Sequence, residues 1–264
     1  MGACDPSGVD DVGLVIADNP GPLTLQGTNT WLVGRDPCWV VDPGPDLDAH
    51  LRRILSDARD RGGIGGIALT HDHYDHVALA LRLRDASGGV PIAAAAYEHA
   101  DVRLADGARF GPLEAVATPG HAPDHLAFVA GGACCTGDAV LGAGSVFVGP
   151  GPGSLAGYLD ALERLRARQL SVLCPGHGPV VLDPTARLTE LVEHRRERER
   201  HLVAALDAGL RGSDELLYRV WADAPSALRG AALLTLTAHL EKLDEEGRLP
   251  EGVERPELPA TFAV

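Results

Sequence analysis

Four segments of this sequence end an apolar run, predicted to be a buried strand, with a side chain that can bind a metal. The longest is IALTHDHYDH, at residues 67–76, and the others are AVATPGH, CCTGD and VLCPGH. Loops at strand ends are where a rigid sheet carries its functional residues. One such segment would be a weak signal, but four with the same arrangement predict a metal site at the edge of a sheet.

The candidate ligands in these segments outnumber the four that a single tetrahedral ion needs. Zinc accepts imidazole and carboxylate ligands, and a catalytic zinc site leaves one position for water. The set therefore suits two ions, one held by three histidines and the other by two histidines and an aspartate, with a carboxylate shared between them. Two metals about 3.5–4 Å apart can hold a bridging hydroxide and clamp a reacting oxygen. The candidates are His71, His73, Asp75, His76, His121, Asp138 and His177.

The spacing within the longest segment has a geometric meaning. In an extended loop alternate residues face the same way, so His71 and His73 can point to one ion. Asp75 and His76 begin the helix predicted to follow, and they can reach a neighbouring point. Asp72 is expected outside the ligand set, as an acceptor for the free N–H of a metal-bound histidine.

Up to about residue 182, short apolar runs alternate with amphipathic segments. The runs at 28–34 and 38–44 predict a β-hairpin, and 46–59 has apolar residues spaced for a helix. A single helix is predicted over 77–86, and 97–107 is predicted as a short helix or a loop. This alternation of strands and helices indicates an α/β or mixed fold.

Residues from about 185 onward are predicted to be helical, so the chain divides into a domain at 1–184 and a small helical domain at 185–264. The stretch EHRRERER at 193–200 alternates in charge. It is interpreted as a solvated, salt-bridged helix face, with RNA phosphate contact as the alternative. Tyr218 and Trp221 lie three residues apart on a predicted helix and are expected to pack rather than to stack on bases.

The composition weighs against some partners. The 264 residues carry a formal net charge of -14, which opposes approach to a phosphate backbone, so RNA is disfavoured as a partner. The sequence contains no stretch of 18 or more apolar residues, so no transmembrane helix is predicted. The N-terminal segment lacks the pattern of a secretory signal. A cytoplasmic protein without a membrane partner is therefore expected. The five cysteines form no CxxC pair and are expected to be free thiols.

The four segments resemble, in order, the metal-binding motifs of the metallo-β-lactamase-fold hydrolase superfamily, which begin with HxHxDH. The resemblance covers about residues 14–182 and implies an α+β fold, a four-layer αββα sandwich with the metals at one edge. It also implies that Asp42, in VVDPG, supports the site without being a ligand. By this resemblance one ion would be bound by His71, His73 and His121 and the other by Asp75, His76 and His177, with Asp138 bridging.

A narrower resemblance is to the beta-lactamase-like protein 2 group, whose metal site is like that of glyoxalase II. It rests on NPGPLTLQGTNTWLVG at 19–34, PGHGPVV, EHRRERER and the helical tail, and it implies that 185–264 is winged-helix-like. Members of the group have different activities, including single-strand ribonuclease and thioesterase activities. The third motif has Ala122 where the family often has threonine. The bridging residue is Asp138, unlike the cysteine ligand of several true β-lactamases, which argues against antibiotic hydrolysis.

The expected function is that of a binuclear zinc hydrolase in which a metal-bridging hydroxide attacks the substrate, with Asp75 and Asp138 as catalytic residues. The favoured substrate is a thioester or an ester, and the expected partner is a small-molecule or acyl thioester substrate. Two alternatives stay open: a single-strand-specific endoribonuclease, and a non-hydrolytic protein, either an iron-dependent oxidoreductase or a metal-binding protein without activity. Iron and manganese are the alternatives to two Zn²⁺ ions, and a homodimer is the alternative to a monomer.

Overall fold

Two β-sheets face each other at the centre of the protein. The structure is a computed structural model, and it describes residues 11–258. The N-terminal segment, on which the expected absence of a secretory signal rests, lies outside these residues, as does Cys4. The described residues form one sheet of six strands and one sheet of five.

The first sheet has six strands that lie side by side in chain order: β1 (Val12–Ile16), β2 (Asn29–Val33), β3 (Cys38–Val41), β4 (Ile64–Ala68), β5 (Ile92–Ala94) and β6 (Val102–Arg103). The first three strands are antiparallel, and β3 to β6 are parallel. The predicted hairpin is confirmed as β2 and β3, in which Leu32 pairs with Val40. Because β3 and β4 are parallel, Asp42 and Thr70 follow strands that end at the same edge.

The second sheet has five strands, also in chain order: β7 (Arg109–Phe110), β8 (Leu113–Ala117), β9 (Leu126–Ala130), β10 (Ala133–Gly137) and β11 (Val172–Pro175). Strands β7 to β10 are antiparallel, whereas β10 and β11 are parallel. Asp138 and His177 therefore emerge beside each other at one edge of this sheet.

The helices cover the outer faces of the sheets and form the C-terminal region. They are α1 (Asp48–Arg59), α2 (Tyr74–Val77), α3 (Ala80–Ala86), α4 (Ser154–Arg166), α5 (Pro184–Asp207), α6 (Ser213–Val220) and α7 (Arg229–Glu245). The helix predicted over 77–86 is wrong in its bounds, because α2 begins at Tyr74 and a turn at Ala78 and Leu79 separates it from α3. The 97–107 segment is a loop that contains β6, and its helical alternative is not realised.

Three buried clusters separate four layers. Ile54 of α1 and Leu83 of α3 pack with Ile67 on the outer face of the first sheet. Trp31 and Phe128 pack with other residues between the two sheets. Side chains of α4 and α5, such as those of Leu162 and Leu191, pack on the outer face of the second sheet. The predicted four-layer αββα sandwich is confirmed.

Adjacent cysteines of β10 face different layers, as expected for neighbouring residues of a strand. Cys134 packs in the cluster that contains α4, and Cys135 packs between the sheets with Cys174. The four cysteines within the described residues are buried free thiols. Burial raises the pKa of Cys38 to about 11, which keeps that thiol protonated at neutral pH.

A fourth cluster forms a separate core from the end of α5 with α6 and α7. Trp221 packs in this core, as predicted. Tyr218 is 71% exposed, so the packing predicted for it was wrong, because Leu217 and Val220 supply the buried face of α6. Helix α5 contributes Leu191 to the sandwich and Leu202 to the C-terminal core. The domain boundary at 184/185 stays a prediction.

Within residues 11–258, no helix is both long enough and apolar enough to cross a membrane.

His239 on α7 predicts a pH dependence of stability. It is fully buried, and both of its ring nitrogens lack hydrogen-bond partners among the described residues. Burial, with the charges of Arg195 and Lys242, lowers the pKa of His239 to about 3. Below about pH 6.5 the unfolded chain binds a proton at this position and the folded protein does not, so stability is lost as the pH falls from about 6.5 towards 3.

We expect His239→Leu to leave stability intact at pH 7.5. The variant should reduce the loss of unfolding free energy below pH 6.5 by about 1.4 kcal/mol per pH unit. Urea unfolding at a series of pH values measures this slope, with the exposed His201→Leu as the control. An unchanged slope in His239→Leu would contradict the assignment.

Candidate metal centre

All seven predicted ligands lie together, in loops that follow strands of both sheets and in α2. His71 follows β4 of the first sheet, and His121 follows β8 of the second sheet. Their ligand atoms belong to overlapping groups in which all atoms lie within 4.8 Å of one another. The groups are His71, His73 and His121; Asp75, His76 and His177; and His71, His76 and Asp138. Which ion each ligand binds stays a prediction.

The group that contains Asp75 has the spacing of ligands around one ion. Nε2 of His76 lies 3.3 Å from Nε2 of His177. The Asp75 Oδ2 atom lies 3.3 Å from the same His177 nitrogen and 3.6 Å from that of His76. Two atoms that bind one tetrahedral zinc at about 2.0–2.1 Å lie about 3.3 Å apart. This group therefore fits a zinc-sized ion without rearrangement.

The group of three histidines is similarly close. Nε2 of His121 lies 3.0 Å from Nδ1 of His73. The ring of His71 is 4.4 Å from the ring of His73, measured between centroids, and 5.1 Å from that of His121. One ligand nitrogen of each ring lies within 4.8 Å of the other two, so these three imidazoles can be the ligands of one zinc ion.

Asp138 lies between the two groups. Its Oδ1 atom is 3.5 Å from Nε2 of His76 and 3.4 Å from Nε2 of His177. Its Oδ2 atom is 3.5 Å from Nε2 of His121. Each carboxylate oxygen thus faces a different group, so Asp138 can be shared between two ions.

Two orphaned atoms show that the residues fit a metal. Nε2 of His71 and Oδ1 of Asp138 are buried and have no hydrogen-bond partner among the described residues. Buried polar atoms without partners are rare in native proteins, and each needs an explanation such as an ion. A bound cation would satisfy both atoms.

Hydrogen bonds on the far side of the rings determine which nitrogen of each ligand histidine is free. Thr70 Oγ1 donates to Asp42 Oδ2 at 2.7 Å, so the 2.9 Å contact between Thr70 Oγ1 and Nδ1 of His71 has the ring N–H as donor. Nδ1 of His76 donates to the same carboxylate oxygen at 2.8 Å. Both rings therefore turn an Nε2 lone pair towards the centre, as metal binding requires.

Backbone carbonyls do the same for two further histidines. Nδ1 of His121 donates to the carbonyl oxygen of Phe147 at 3.3 Å. Nδ1 of His177 donates to that of Gly27, also at 3.3 Å. Neither carbonyl can donate in return, so Nε2 is the free atom in each ring.

His125 shows the contrasting arrangement of a buried histidine that is not a ligand. Its Nε2 atom accepts from the backbone N–H of Asp138 at 3.1 Å, and its Nδ1 atom bonds Thr118 Oγ1 at 2.7 Å. Both ring nitrogens are used within the protein. His125 therefore supports the backbone of Asp138 and has no lone pair for a metal.

Burial and charge act differently on the two groups. Burial lowers the pKa of His71 well below its ordinary value and that of His121 to about 4, so these rings are neutral at pH 7. Burial also opposes a charge on His177, but the carboxylates of Asp138 and Asp75 outweigh it and raise the pKa of His177 to about 10. The carboxylates thus attract a cation, and a metal that binds there displaces a proton.

Several supporting residues lay outside the sequence prediction. Thr28 Oγ1 donates to Asp75 Oδ2 at 3.2 Å. Asn29 Nδ2 donates to the carbonyl oxygens of Pro175 and Gly178, at 2.9 Å each, and so holds the loop that carries His177. The sequence interpretation gave Thr28 and Asn29 strand and core roles, with a loop that could border the substrate cleft, and missed these hydrogen bonds because the partners are distant in sequence.

Asp72 does not have the role predicted for it. Its side chain is exposed, and it makes no hydrogen bond to a ligand histidine within the part of the chain that the structure describes. Thr70, Asp42 and two backbone carbonyls are the acceptors instead.

Comparisons with known proteins agree with this geometry. The sequence matches the metallo-beta-lactamase superfamily over residues 23–107 and a beta-lactamase associated winged helix domain over residues 213–252. It is 30% identical over 260 residues to the Beta-lactamase-like protein 2 homolog of Caenorhabditis elegans, an alignment that covers 90% of this chain and 85% of that relative.

Solved structures are similar as well. The metallo-beta-lactamase family protein TTHA1429 from Thermus thermophilus superimposes with a TM-score of 0.72 and 25% identity, over 90% of this chain and 94% of that one. A structure of TTHA1623 in a di-iron-bound form has a TM-score of 0.51 and 26% identity, over 64% of this chain and 94% of that one.

Replacement of Asp42 by asparagine tests the support of the ligands. An amide group cannot accept all three hydrogen bonds that the Asp42 carboxylate accepts from Thr70 and His76. Both of these side chains therefore lose part of their orientation in the variant. We expect Asp42→Asn to weaken zinc binding by about 10–100-fold, measured by competition with a chromophoric chelator. Asp46→Asn, at an exposed position of the same loop, is the matched control, and an affinity equal to that of the wild type would contradict the role of Asp42.

Proposed function

Because this chain belongs to the metallo-β-lactamase superfamily and carries a winged helix domain, we propose that it is a binuclear metal-dependent hydrolase acting on a thioester or ester. The observation that carries the proposal is the arrangement of Nε2 lone pairs. Four buried histidines each turn Nε2 towards one centre, and Asp138 faces both ligand groups with its two oxygens.

The side chains around the centre would have different roles in such a reaction. When bound, two zinc ions supply Lewis acidity and a hydroxide nucleophile at neutral pH. Asp138, with 10% of its side chain exposed, lies between the two ligand groups and can be shared by both ions. Asp75 is 29% exposed and lies on the side from which water and substrate would approach. Thr28 holds one oxygen of Asp75. Asp75 is thus placed to orient the attacking water.

Zinc is the metal we propose, since the ligands are imidazoles and carboxylates at tetrahedral spacing. Imidazole and carboxylate also suit iron, and a protein of similar fold is known in a di-iron-bound form. Metal analysis of the purified protein distinguishes the two, and full occupancy with zinc would count against an iron-dependent oxidoreductase.

The arginines of 193–200 give less support to the ribonuclease alternative. Arg198 pairs with Asp223 at 2.6 Å, and Arg196 pairs with two glutamates. Arg195 is buried and contacts a backbone carbonyl, which differs from the solvated face predicted for the whole stretch. Phosphate contact by Arg195 would require that buried contact to break. Together with the net charge of -14, these contacts favour a substrate other than RNA.

Asp138→Asn tests the two-metal proposal. The variant keeps the size of the side chain and removes the charge that both groups face. We expect it to lose at least one of two zinc ions and about a hundredfold or more of thioester hydrolysis, because even residues that only orient ligands are worth 10–100-fold. Metal content and hydrolysis of a generic thioester and a phosphodiester are measured together, with exposed Asp160→Asn as the control. Wild-type metal content and activities in Asp138→Asn would refute the proposal.

A substrate comparison separates the two hydrolytic alternatives. We expect the zinc-loaded protein to hydrolyse a thioester and to show no salt-sensitive affinity for single-stranded RNA at low salt. Binding assays over a range of salt concentrations measure this. Tyr218 on α6 is the exposed aromatic residue to change. Salt-sensitive RNA affinity that Tyr218→Ala weakens would favour the ribonuclease instead.

A further inference from the structure

The connection between Asp138 and α4, residues 139–153, contains no helix or strand. We name it the β10–α4 loop. Loops of this length without secondary structure are uncommon in compact domains, and those that occur are usually functional or disordered. The backbone of this loop has a defined conformation, since it forms hydrogen bonds with side chains of α5 and of α7.

The β10–α4 loop lies against one predicted ligand. The carbonyl oxygen of Phe147 accepts from Nδ1 of His121 at 3.3 Å, and the two rings lie 4.5 Å apart between centroids. The N–H of Gly149 donates to the carbonyl oxygen of Gly120 at 2.8 Å. The position of Phe147 therefore sets the direction in which His121 presents Nε2.

Helix α5 holds the loop residues that precede Phe147, through two arginines that donate to carbonyl oxygens. Arg187 donates to Leu141 from Nε and Nη2, at 3.2 and 3.0 Å, and also to Gly144. Arg195 donates from Nη2 to the carbonyl oxygen of Val146 and to Ser145 Oγ at 2.6 Å. Val146 is the residue directly before Phe147.

Arg195 is an unusual residue for a protein core. It is 2% exposed, and no carboxylate oxygen within residues 11–258 lies within 4.0 Å of its guanidinium nitrogens. Its guanidinium lies 5.4 Å from the centre of the Tyr158 ring, and its Nε atom has no partner among the described residues. A buried cation without a counter-ion destabilises a fold. An apolar residue would pack here at lower cost but could not hold the loop.

Helix α7 holds the residues that follow Phe147, through side-chain acceptors. Thr235 Oγ1 accepts from the N–H of Val148 at 3.2 Å, and Glu241 Oε2 accepts from that of Gly151 at 2.7 Å. Farther along, Glu245 Oε1 accepts from the N–H of Gly153 at 3.0 Å. Donors from α5 and acceptors from α7 thus secure the loop on either side of the residue that contacts His121.

We propose that Arg195 and Glu241 are positioning residues of the metal centre, which act through Phe147 on His121. The inference rests on the proposed function in so far as His121 binds a metal. It gives the C-terminal helices a role in the centre without a substrate contact. Outer residues that orient a ligand histidine are worth about 10–100-fold in metal affinity, so loss of either residue weakens the ion that His121 binds.

The test uses the full chain and zinc alone as the probe. Arg195→Met removes the donors and keeps an apolar stem, and Glu241→Ala removes the acceptor. Glu241→Gln keeps an acceptor oxygen and is the conservative variant. Arg200→Met, at an exposed position of the same helix, is the matched control. Zinc affinity of the two sites is measured by chelator competition, and amide hydrogen exchange of residues 145–151 is measured in metal-free protein.

Arg195→Met and Glu241→Ala should weaken one of the two zinc ions by about tenfold or more and leave the other unchanged. The amides of Val148 and Gly151 should exchange faster than in the wild type. Glu241→Gln should restore both properties, and Arg200→Met should match the wild type. If Arg195→Met does not fold, the comparison of Glu241→Ala with Glu241→Gln decides the question alone.

Equal weakening of both ions, or wild-type affinity and exchange in both variants, would overturn the inference. A different result would overturn the proposed function itself. If His121→Asn binds as much zinc as the wild type, no ion depends on His121. Faster exchange of the loop in Glu241→Ala would then still show that α7 holds the loop, so the two failures are distinguishable.

Discussion

The buried carboxylate of Asp42 is the interaction on which the rest of the centre depends. It accepts from the N–H and hydroxyl groups of Thr70 and from Nδ1 of His76, so it joins the ends of two parallel strands to the first turn of α2. Its backbone has a φ of 51°, a left-handed conformation that is uncommon for a residue other than glycine. Through Thr70 the same carboxylate also decides which nitrogen of His71 carries a proton. One side chain therefore orients a histidine in each ligand group.

Charge balance is the second constraint on this edge of the sandwich. Asp75 and Asp138 are partly or largely buried among the ligand histidines, and buried carboxylates are unfavourable without cations beside them. Protons on His177, whose pKa the two carboxylates raise, or metal ions can meet this need. Away from the centre, the opposite case occurs at Arg195, a buried cation whose hydrogen bonds go to the β10–α4 loop. In both places a buried charged side chain fixes the position of a neighbouring group: the carboxylates act on His177, and the guanidinium acts on the β10–α4 loop.

Prediction from the sequence succeeded where the informative residues lie close together in the chain, and it failed where the interacting residues lie far apart. HxHxDH and the three later segments are local patterns, and the structure brings all seven of their candidate ligands together. The carbonyl oxygens of Gly27 and Phe147 that orient His177 and His121 were not predicted, because every residue has a carbonyl group and no side-chain pattern marks it. Arg195 was predicted on a solvated face, since alternating charges are typical of one, but it is buried against the β10–α4 loop and the Tyr158 ring. Only tertiary contacts supply that burial.

By itself, the sequence determined the types of ligand, their order and their places after buried strands, because apolar runs and the residues that follow them are local properties. From these, a mixed fold of strands and helices with a metal centre at a sheet edge could be predicted, whereas the α+β sandwich was implied by the resemblance of the motifs to the metallo-β-lactamase superfamily. The tertiary structure alone decided which histidine nitrogens face that centre, why His125 is excluded from it, and how helices beyond residue 184 reach it. The physical reason is that lone-pair direction depends on the acceptor behind each ring, and those acceptors come from parts of the chain that only folding brings together.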